Sequence, residues 1–157
     1  MKQILIAILL VLATSIVNGQ DFIDQVFKQY SGKQGFTSVV ISPQVFSLLS
    51  AIDPNDRDLK TISEKITSLK ILVSKDISTG FTNDIRSKMK NTSFVSIMEV
   101  IDGRQKVNFY VKQANETITD FILIAIDDNE EVLLSITGNF KLNELANLGS
   151  KSALGDN

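Results

Sequence analysis

The chain has 157 residues and contains no cysteine and no histidine. Without cysteine it can form neither disulfides nor thiolate metal sites, and it offers no acceptor for the lipid of a bacterial lipoprotein. Without histidine it can build neither Ser-His-Asp nor Cys-His catalysis, nor an imidazole site for zinc or iron. Composition alone therefore excludes most common hydrolase mechanisms, and we predict no cofactor.

Clusters of basic side chains are missing as well. The sequence has 16 Lys and Arg against 18 Asp and Glu, which gives a net charge of −2. The basic residues stand singly among acidic ones, so the chain lacks the basic stripe or basic aromatic patch that binds a phosphate backbone. We therefore expect no nucleic-acid partner.

The N-terminal segment has the pattern of an export signal. Residues 1–3 form a short basic head, and residues 4–13 form an unbroken apolar run. This run is too short for a membrane span, which needs about 20 residues, but it suits the core of a signal peptide. Cleavage is expected after Gly19, with residues 13–15 as a weaker alternative. We predict a signal peptide at residues 1–19 and no membrane span after its removal.

The remainder has the size of one domain. Removal of residues 1–19 leaves 138 residues with a net charge of −3, enough to bury roughly two-thirds of the unfolded surface. The sequence shows no internal repeat and no long linker. We predict a single domain over residues 20–149 and a flexible tail over residues 150–157.

The C-terminal half is predicted to be a sheet. Four segments are rich in β-branched and aromatic residues, and short polar turns separate them. This pattern predicts a four-stranded antiparallel meander. The predicted strands cover residues 94–101, 105–113, 117–126 and 131–137.

The first hairpin of the meander can be read in register. Asp102-Gly103 is a strong signal for a two-residue loop, which would place Ile101 opposite Arg104. One face of the hairpin is then apolar, and we expect it to be core: Phe94, Met98, Val100, Val107, Phe109 and Val111. The other face is mixed and carries Val95, Ile97, Ile101 and Tyr110 beside Glu99, Lys106, Asn108 and Lys112.

The third and fourth strands are apolar at both alternating positions, over residues 121–126 and 132–134. This pattern is typical of strands that are covered on both faces. We therefore expect either helices on both sides of the sheet or a partner on one side.

Helical spacing of apolar residues predicts about four short helices. The first carries Ile23, Val26, Phe27 and Tyr30. The second begins at Ser42-Pro43 and carries Val45, Leu48, Leu49 and Ile52. A third has Ile77, Phe81, Ile85 and Met89, and the last has Leu142, Leu145, Ala146 and Leu148.

Weaker patterns complete the predicted fold. A helical turn is expected around Leu59 and Ile62, and brief strands are expected at residues 36–41 and 68–73. Together the elements predict an α+β fold: a mostly antiparallel sheet that contains the four-stranded C-terminal meander and packs with about four short helices.

Four stretches in this order resemble the domain-of-unknown-function family 4252, small exported proteins of bacteria. They are YSGKQGFTSVVIS, SLKILVS, VIDGRQKVNFYVK and LLSITGNFKLNELANL. The resemblance covers nearly all of the predicted mature chain, but it consists of packing and turn patterns, so it brings no functional residues. It implies an exported bacterial setting. Some family members look like lipoproteins, and this chain departs from them because it lacks the cysteine.

Three patterns could carry chemistry, but each is better explained by structure. Ser87 to Lys90 matches S-x-x-K without the companion S-D-N and K-T-G motifs, so a solvated helix face is expected. The acidic residues Asp127, Asp128, Glu130 and Glu131 are interpreted as a turn whose side chains diverge into water, with weak calcium binding as the alternative. Asp53 begins a partial EF-hand spacing that has Arg57 where an oxygen ligand is needed. We predict no catalytic residue and no metal site.

The mixed face of the first hairpin is the candidate surface for a partner or ligand. Val95, Ile97, Ile101 and Tyr110 make it apolar enough to bind, and the neighbouring charges keep it soluble. The alternative is that a helix lies across it.

Two functions remain. The first is a non-enzymatic binding or protein-interaction domain of the bacterial envelope, exported as a soluble periplasmic or extracellular protein. Its partner would be a second copy, another envelope protein or an apolar ligand. The second is a hydrolase or isomerase that uses only Asp, Glu, Lys, Ser or Tyr, which would need convergent carboxylates or a lysine of lowered pKa.

Overall fold

A computed structural model describes residues 19–141 and residue 143 of the chain. Four helices are present in this part: α1 (Gly19–Tyr30), α2 (Pro43–Ile52), α3 (Arg57–Lys65) and α4 (Phe81–Met89). The strands are β1 (Phe36–Ile41), β2 (Ile66–Ser74), β3 (Val95–Asp102), β4 (Gln105–Ala114), β5 (Thr117–Ile126) and β6 (Glu131–Lys141).

The six strands form one antiparallel sheet in the order β1-β2-β6-β5-β4-β3. The predicted α+β fold and the C-terminal meander are confirmed. Residues 1–18, the predicted last helix and the predicted tail lie outside the described residues. Over residues 19–141, no helix combines the length and the hydropathy of a membrane span.

The main core lies between one face of the sheet and the helices α1 and α4. Helical spacing puts Phe22, Ile23, Val26 and Phe27 on one stripe of α1, and all four are buried. In α4, Ile85 faces the same core and is fully buried. The sheet residues against them are fully buried and come from the central strands: Leu72, Ile122, Ile124 and Leu133.

Helix α4 begins later than its apolar spacing predicts. The segment Ile77–Thr79 is a short 3-10 turn, and Gly80 follows with φ of +65°. That left-handed conformation suits glycine and interrupts the helix, so Ile77 is 46% exposed and is not part of the core. The predicted helix from Ile77 is therefore wrong in its first turn.

The carboxylate of Glu131 caps the N-terminus of α4. It accepts hydrogen bonds from the backbone N–H and the hydroxyl of Thr82, both at 3.1 Å. The N–H groups of a first helical turn have no partner within the helix, and negative charge is favoured there. Glu131 is only 1% exposed, so the expectation that its side chain turns to water is wrong. It opens β6 two residues before buried Leu133 and therefore points to the same face.

A second polar contact joins α1 to α4. The Tyr30 hydroxyl donates to Asp84 Oδ2 at 2.6 Å, and Lys88 pairs with the same carboxylate at 2.9 Å. Burial raises the pKa of Tyr30 to about 12, and the hydrogen bond to Asp84 adds to that rise. The same hydrogen bond, helped by Lys88, holds the pKa of Asp84 below its usual value.

The cap predicts a stability effect of Glu131→Ala. The substitution leaves the Thr82 N–H buried without an acceptor, so we expect the free energy of unfolding to fall by about 1–3 kcal/mol. Urea unfolding at neutral pH measures it. Glu130→Ala is the matched control in the neighbouring position and should cost less than about 0.5 kcal/mol. Equal losses in the two variants would contradict the capping role.

The contact between Tyr30 and Asp84 predicts a stability change at alkaline pH. A phenol whose pKa is raised from 10.0 to about 12 by folding stabilises the fold below pH 10. That contribution is lost as the pH rises from about 10 to about 12. The difference in the free energy of unfolding between the parent and Tyr30→Phe should therefore shrink over this pH interval. Urea unfolding at a series of pH values from about 8 upward measures it. Tyr110→Phe, which alters the chain's only other tyrosine and leaves the contact between Tyr30 and Asp84 in place, is the matched control.

Candidate functional site

Strand pairing sorts the sheet into rows of residues that share a face. Residues directly opposite each other on neighbouring antiparallel strands point to the same side. The pairing produces a central row with one apolar residue from each strand: Val39, Ile71, Leu134, Leu123, Phe109 and Met98.

Two parallel rows flank the central one on the same side. One contains Thr37, Val73, Val132, Ala125, Val107 and Val100, and the other contains Ile41, Leu69, Ile136, Phe121, Val111 and Val95. We call these eighteen residues the open face. Seventeen of them are apolar, the remaining one is a threonine, and none is charged.

The opposite face of the sheet is the one that α1 and α4 cover. At its centre, Leu72, Leu133 and Ile124 are 0% exposed. On the open face the central row stays in contact with solvent, since Val39 is 41% and Met98 48% exposed, and the four residues between them are partly exposed. The same strands are therefore buried on one side and accessible on the other.

Helix α2 adds apolar surface beside the open face. Its Phe46 packs against a buried cluster that includes Val111 of the open face, and Phe121 and Ile136 pack against the same cluster. None of its residues is buried, although its sequence is largely apolar. Four of its apolar side chains are more than 40% exposed: Val45, Leu48, Leu49 and Ile52.

The residues that the sequence grouped as a candidate surface are separated in the structure. Val95 belongs to the open face. Ile101 and Tyr110 point to the covered side, where Tyr110 packs against the core and Ile101 is 64% exposed at the sheet edge. Ile97 is the extra residue of a β-bulge in β3 and is 56% exposed.

The predicted register of the first hairpin is wrong. Asp102 pairs with Gln105, so the two loop residues are Gly103 and Arg104. Gly103 has φ of +58° and occupies the first central position of the turn, where type II′ turns place glycine. The loop therefore lies one residue further along the chain than expected. Each residue from Met98 to Ile101 is paired with a residue of β4 two positions from the expected one, so these residues stay on the predicted faces.

The predicted core face of this hairpin is correct in its grouping and in the burial of Val111, but it is wrong for Met98 and Val100. Met98, Val100, Val107, Phe109 and Val111 share one face, as expected. That face is the open one, so Met98 and Val100 are 48% and 45% exposed. The bulge at Ile97 reverses the alternation before it, and Phe94 therefore packs on the covered side.

Three polar residues of the mixed face, Glu99, Lys106 and Asn108, line a cavity of about 430 Å³ at the β3–β4 edge of the covered side. Arg86 Nη2 donates to Asn108 Oδ1 at 3.0 Å, and Asn108 Nδ2 donates to Glu99 Oε2 at 2.6 Å. Lys106 forms a salt bridge with Glu99 at 3.2 Å. The hydrogen bond from Asn108 lowers the pKa of Glu99. These polar groups largely satisfy one another, and Arg86 is the member that sequence patterns missed.

The motifs that could carry chemistry remain apart. Ser87 is exposed on α4, as is Lys90 just after it. Asp127 accepts hydrogen bonds from the N–H groups of Asn129 and Glu130, within its own turn. Within residues 19–141, no group of three or more acidic side chains is placed to hold a metal ion.

The perturbed carboxyl groups of the described chain share one direction of shift. The pKa values of Asp76, Asp84, Glu99 and Asp127 are all lowered, mainly by hydrogen bonds. A general acid working near neutral pH needs a raised pKa. The hydrolase or isomerase alternative stays a prediction.

Comparison with known proteins gives one match. Residues 30–148 match the family described as "Domain of unknown function (DUF4252)". No curated protein and no solved structure shows significant similarity to the chain. The match covers β1 to β6 and extends over most of the sequence, so the chain belongs to the DUF4252 family.

Proposed function

We propose that this chain is a non-enzymatic protein-interaction domain that is exported to the bacterial cell envelope and binds through the open face. The observation that carries this proposal is the contrast between the two sides of the sheet. The seventeen apolar residues of the open face have no charge among them, and all except buried Val111 are partly or well exposed, whereas the covered side contains buried Glu131 and Asn108.

The hydrophobic effect supports binding at this face. Apolar surface gains roughly 25 cal/mol for each Å² that is removed from water. Soluble proteins seldom expose contiguous apolar patches beyond a few hundred Å², and larger patches mark interaction sites. Six strands spaced about 4.8 Å apart make the open face roughly 24 Å wide, and α2 adds four exposed apolar side chains.

The shape of the face favours a protein as its partner. Small molecules bind in concave pockets that enclose most of their surface. The open face is instead a broad sheet surface, built from three rows that cross all six strands. Its lack of charge also matches the apolar centre of a protein interface, from which charged residues are depleted.

The proposed setting rests on the N-terminal pattern and on the family resemblance. The basic head and the apolar run of residues 4–13 support export as a signal peptide. The absence of cysteine supports a soluble product over an acylated one, in the periplasm or outside the cell. In this setting the protein needs no cofactor, because its work is the burial of apolar surface.

Site-specific photo-crosslinking in the native cells tests the proposed function. The neighbours Val100 and Ile101 are 45% and 64% exposed on the same edge strand, but they point to opposite sides. We expect benzoylphenylalanine at position 100 of the full chain to give a discrete protein adduct, and the same group at position 101 to give less than about a tenth as much. A second substitution, Leu134→Asp, should abolish the adduct from position 100, because it places a charge at the centre of the face.

Two outcomes would contradict binding at the open face. The first is an absence of adducts at position 100 when the variant is exported and folded. The second is stronger crosslinking from position 101, which would assign binding to the surface predicted from the sequence, with Ile101 and Tyr110.

A further inference from the structure

The geometry points to a second copy of this chain as the occupant of the open face, with two sheets packed face to face in a sandwich. This inference rests on the proposed function, because it requires binding at the open face. It names the partner, which the proposed function leaves open.

Charge complementarity carries the first step. A partner that covers the open face must be uncharged over the same area, since a carboxylate or ammonium buried there would have no counter-ion. The open face of a second copy meets this condition, because all eighteen of its positions lack charge. A twofold axis brings identical patches together, so one surface supplies both halves of the interface.

Shape and area carry the second step. Antiparallel sheets pack face to face about 10 Å apart, with strand directions about 30° from each other. The open face projects roughly 400 Å² per copy before side-chain relief is added. The exposed apolar side chains of α2 enlarge it toward the roughly 800 Å² per partner of a stable interface.

Helix α2 fits this arrangement. Its Phe46 packs against the buried cluster that contains Val111 of the open face. A helix on a sheet and a second sheet on the same sheet form layers of similar thickness, about 10 Å. The α2 of one copy would therefore lie beside the sheet of its partner, where Leu48 and Ile52, which are 65% and 80% exposed, gain apolar neighbours.

The edge strand β3 is poorly suited to edge-to-edge pairing, the other common way of joining sheets. Edge-to-edge pairing needs a regular strand with free backbone groups. The bulge at Ile97 interrupts β3, and Glu99 and Asp102 add charge along it. Face-to-face packing avoids these obstacles.

Sedimentation analysis of matched variants tests the inference. The full chain should be dimeric down to about 1 μM. Val39→Asp and Val100→Asp place a charge on the open face and should raise the dimer dissociation constant at least about 100-fold. Val40→Asp and Ile101→Asp place the same charge on the other side of the same strands and should change it less than about 3-fold. Circular dichroism confirms that each variant is folded.

The absence of cysteine allows a second measurement. Leu134→Cys puts a single thiol at the centre of the open face, and Ser87→Cys puts one on exposed α4. A short bismaleimide should join two copies of the first variant covalently at micromolar concentration and should form no covalent dimer of the second, as read from denaturing gels.

A parent chain that is monomeric at about 100 μM would overturn the inference, as would a dimer that survives both open-face charges. The photo-crosslinking result separates this failure from failure of the proposed function. If the parent is monomeric but position 100 forms an adduct with a different protein, the open face still binds a partner, and only the inference that this partner is a second copy is overturned. An absence of adducts in a monomeric parent overturns both.

Discussion

The structure depends on the two-residue alternation of side chains in six paired antiparallel strands. Because opposite residues share a face, each strand contributes one set of side chains to the helix-covered side and one to the open side. The covered side buries Leu72, Leu133 and Ile124 beneath α1 and α4. The same pairing aligns the open-side residues of all six strands into continuous apolar rows.

Polar residues are concentrated on the side that the helices cover, and each has a local reason to be there. Glu131 caps α4 through Thr82, and Asn108 connects Arg86 with Glu99 near the sheet edge. Such groups can be buried because hydrogen-bond partners reach them. Among the eighteen residues of the open face, only Thr37, on edge strand β1, is polar, so the chemistry of this face suits an apolar partner.

Sequence patterns predicted the meander well, because alternation and turn residues are local signals. The third predicted strand coincides with β5, Thr117–Ile126, and the helix after Ser42 begins at Pro43 as expected. These local signals could not predict which face of the hairpin the helices cover. The hairpin face with Met98 and Val100 has more apolar residues, so it was predicted to be the core side. The helices instead pack against the other side, where the central strands also present apolar residues. The bulge at Ile97 leaves no comparable mark in the sequence.

The junction of β2 with β6 has a consequence for the folding rate. The meander pairs strands that follow one another, whereas β2–β6 pairing joins Leu72 to Leu133, 61 positions apart in the chain. Closing so long a loop costs entropy before any contact compensates for it, and proteins rich in distant pairings fold slowly. The hairpins of β3 to β6 can therefore form early, while attachment of β1 and β2 sets the pace of folding. Until that step is complete, β6 has an unpaired apolar edge at which a second chain can add a strand, so aggregation competes with folding.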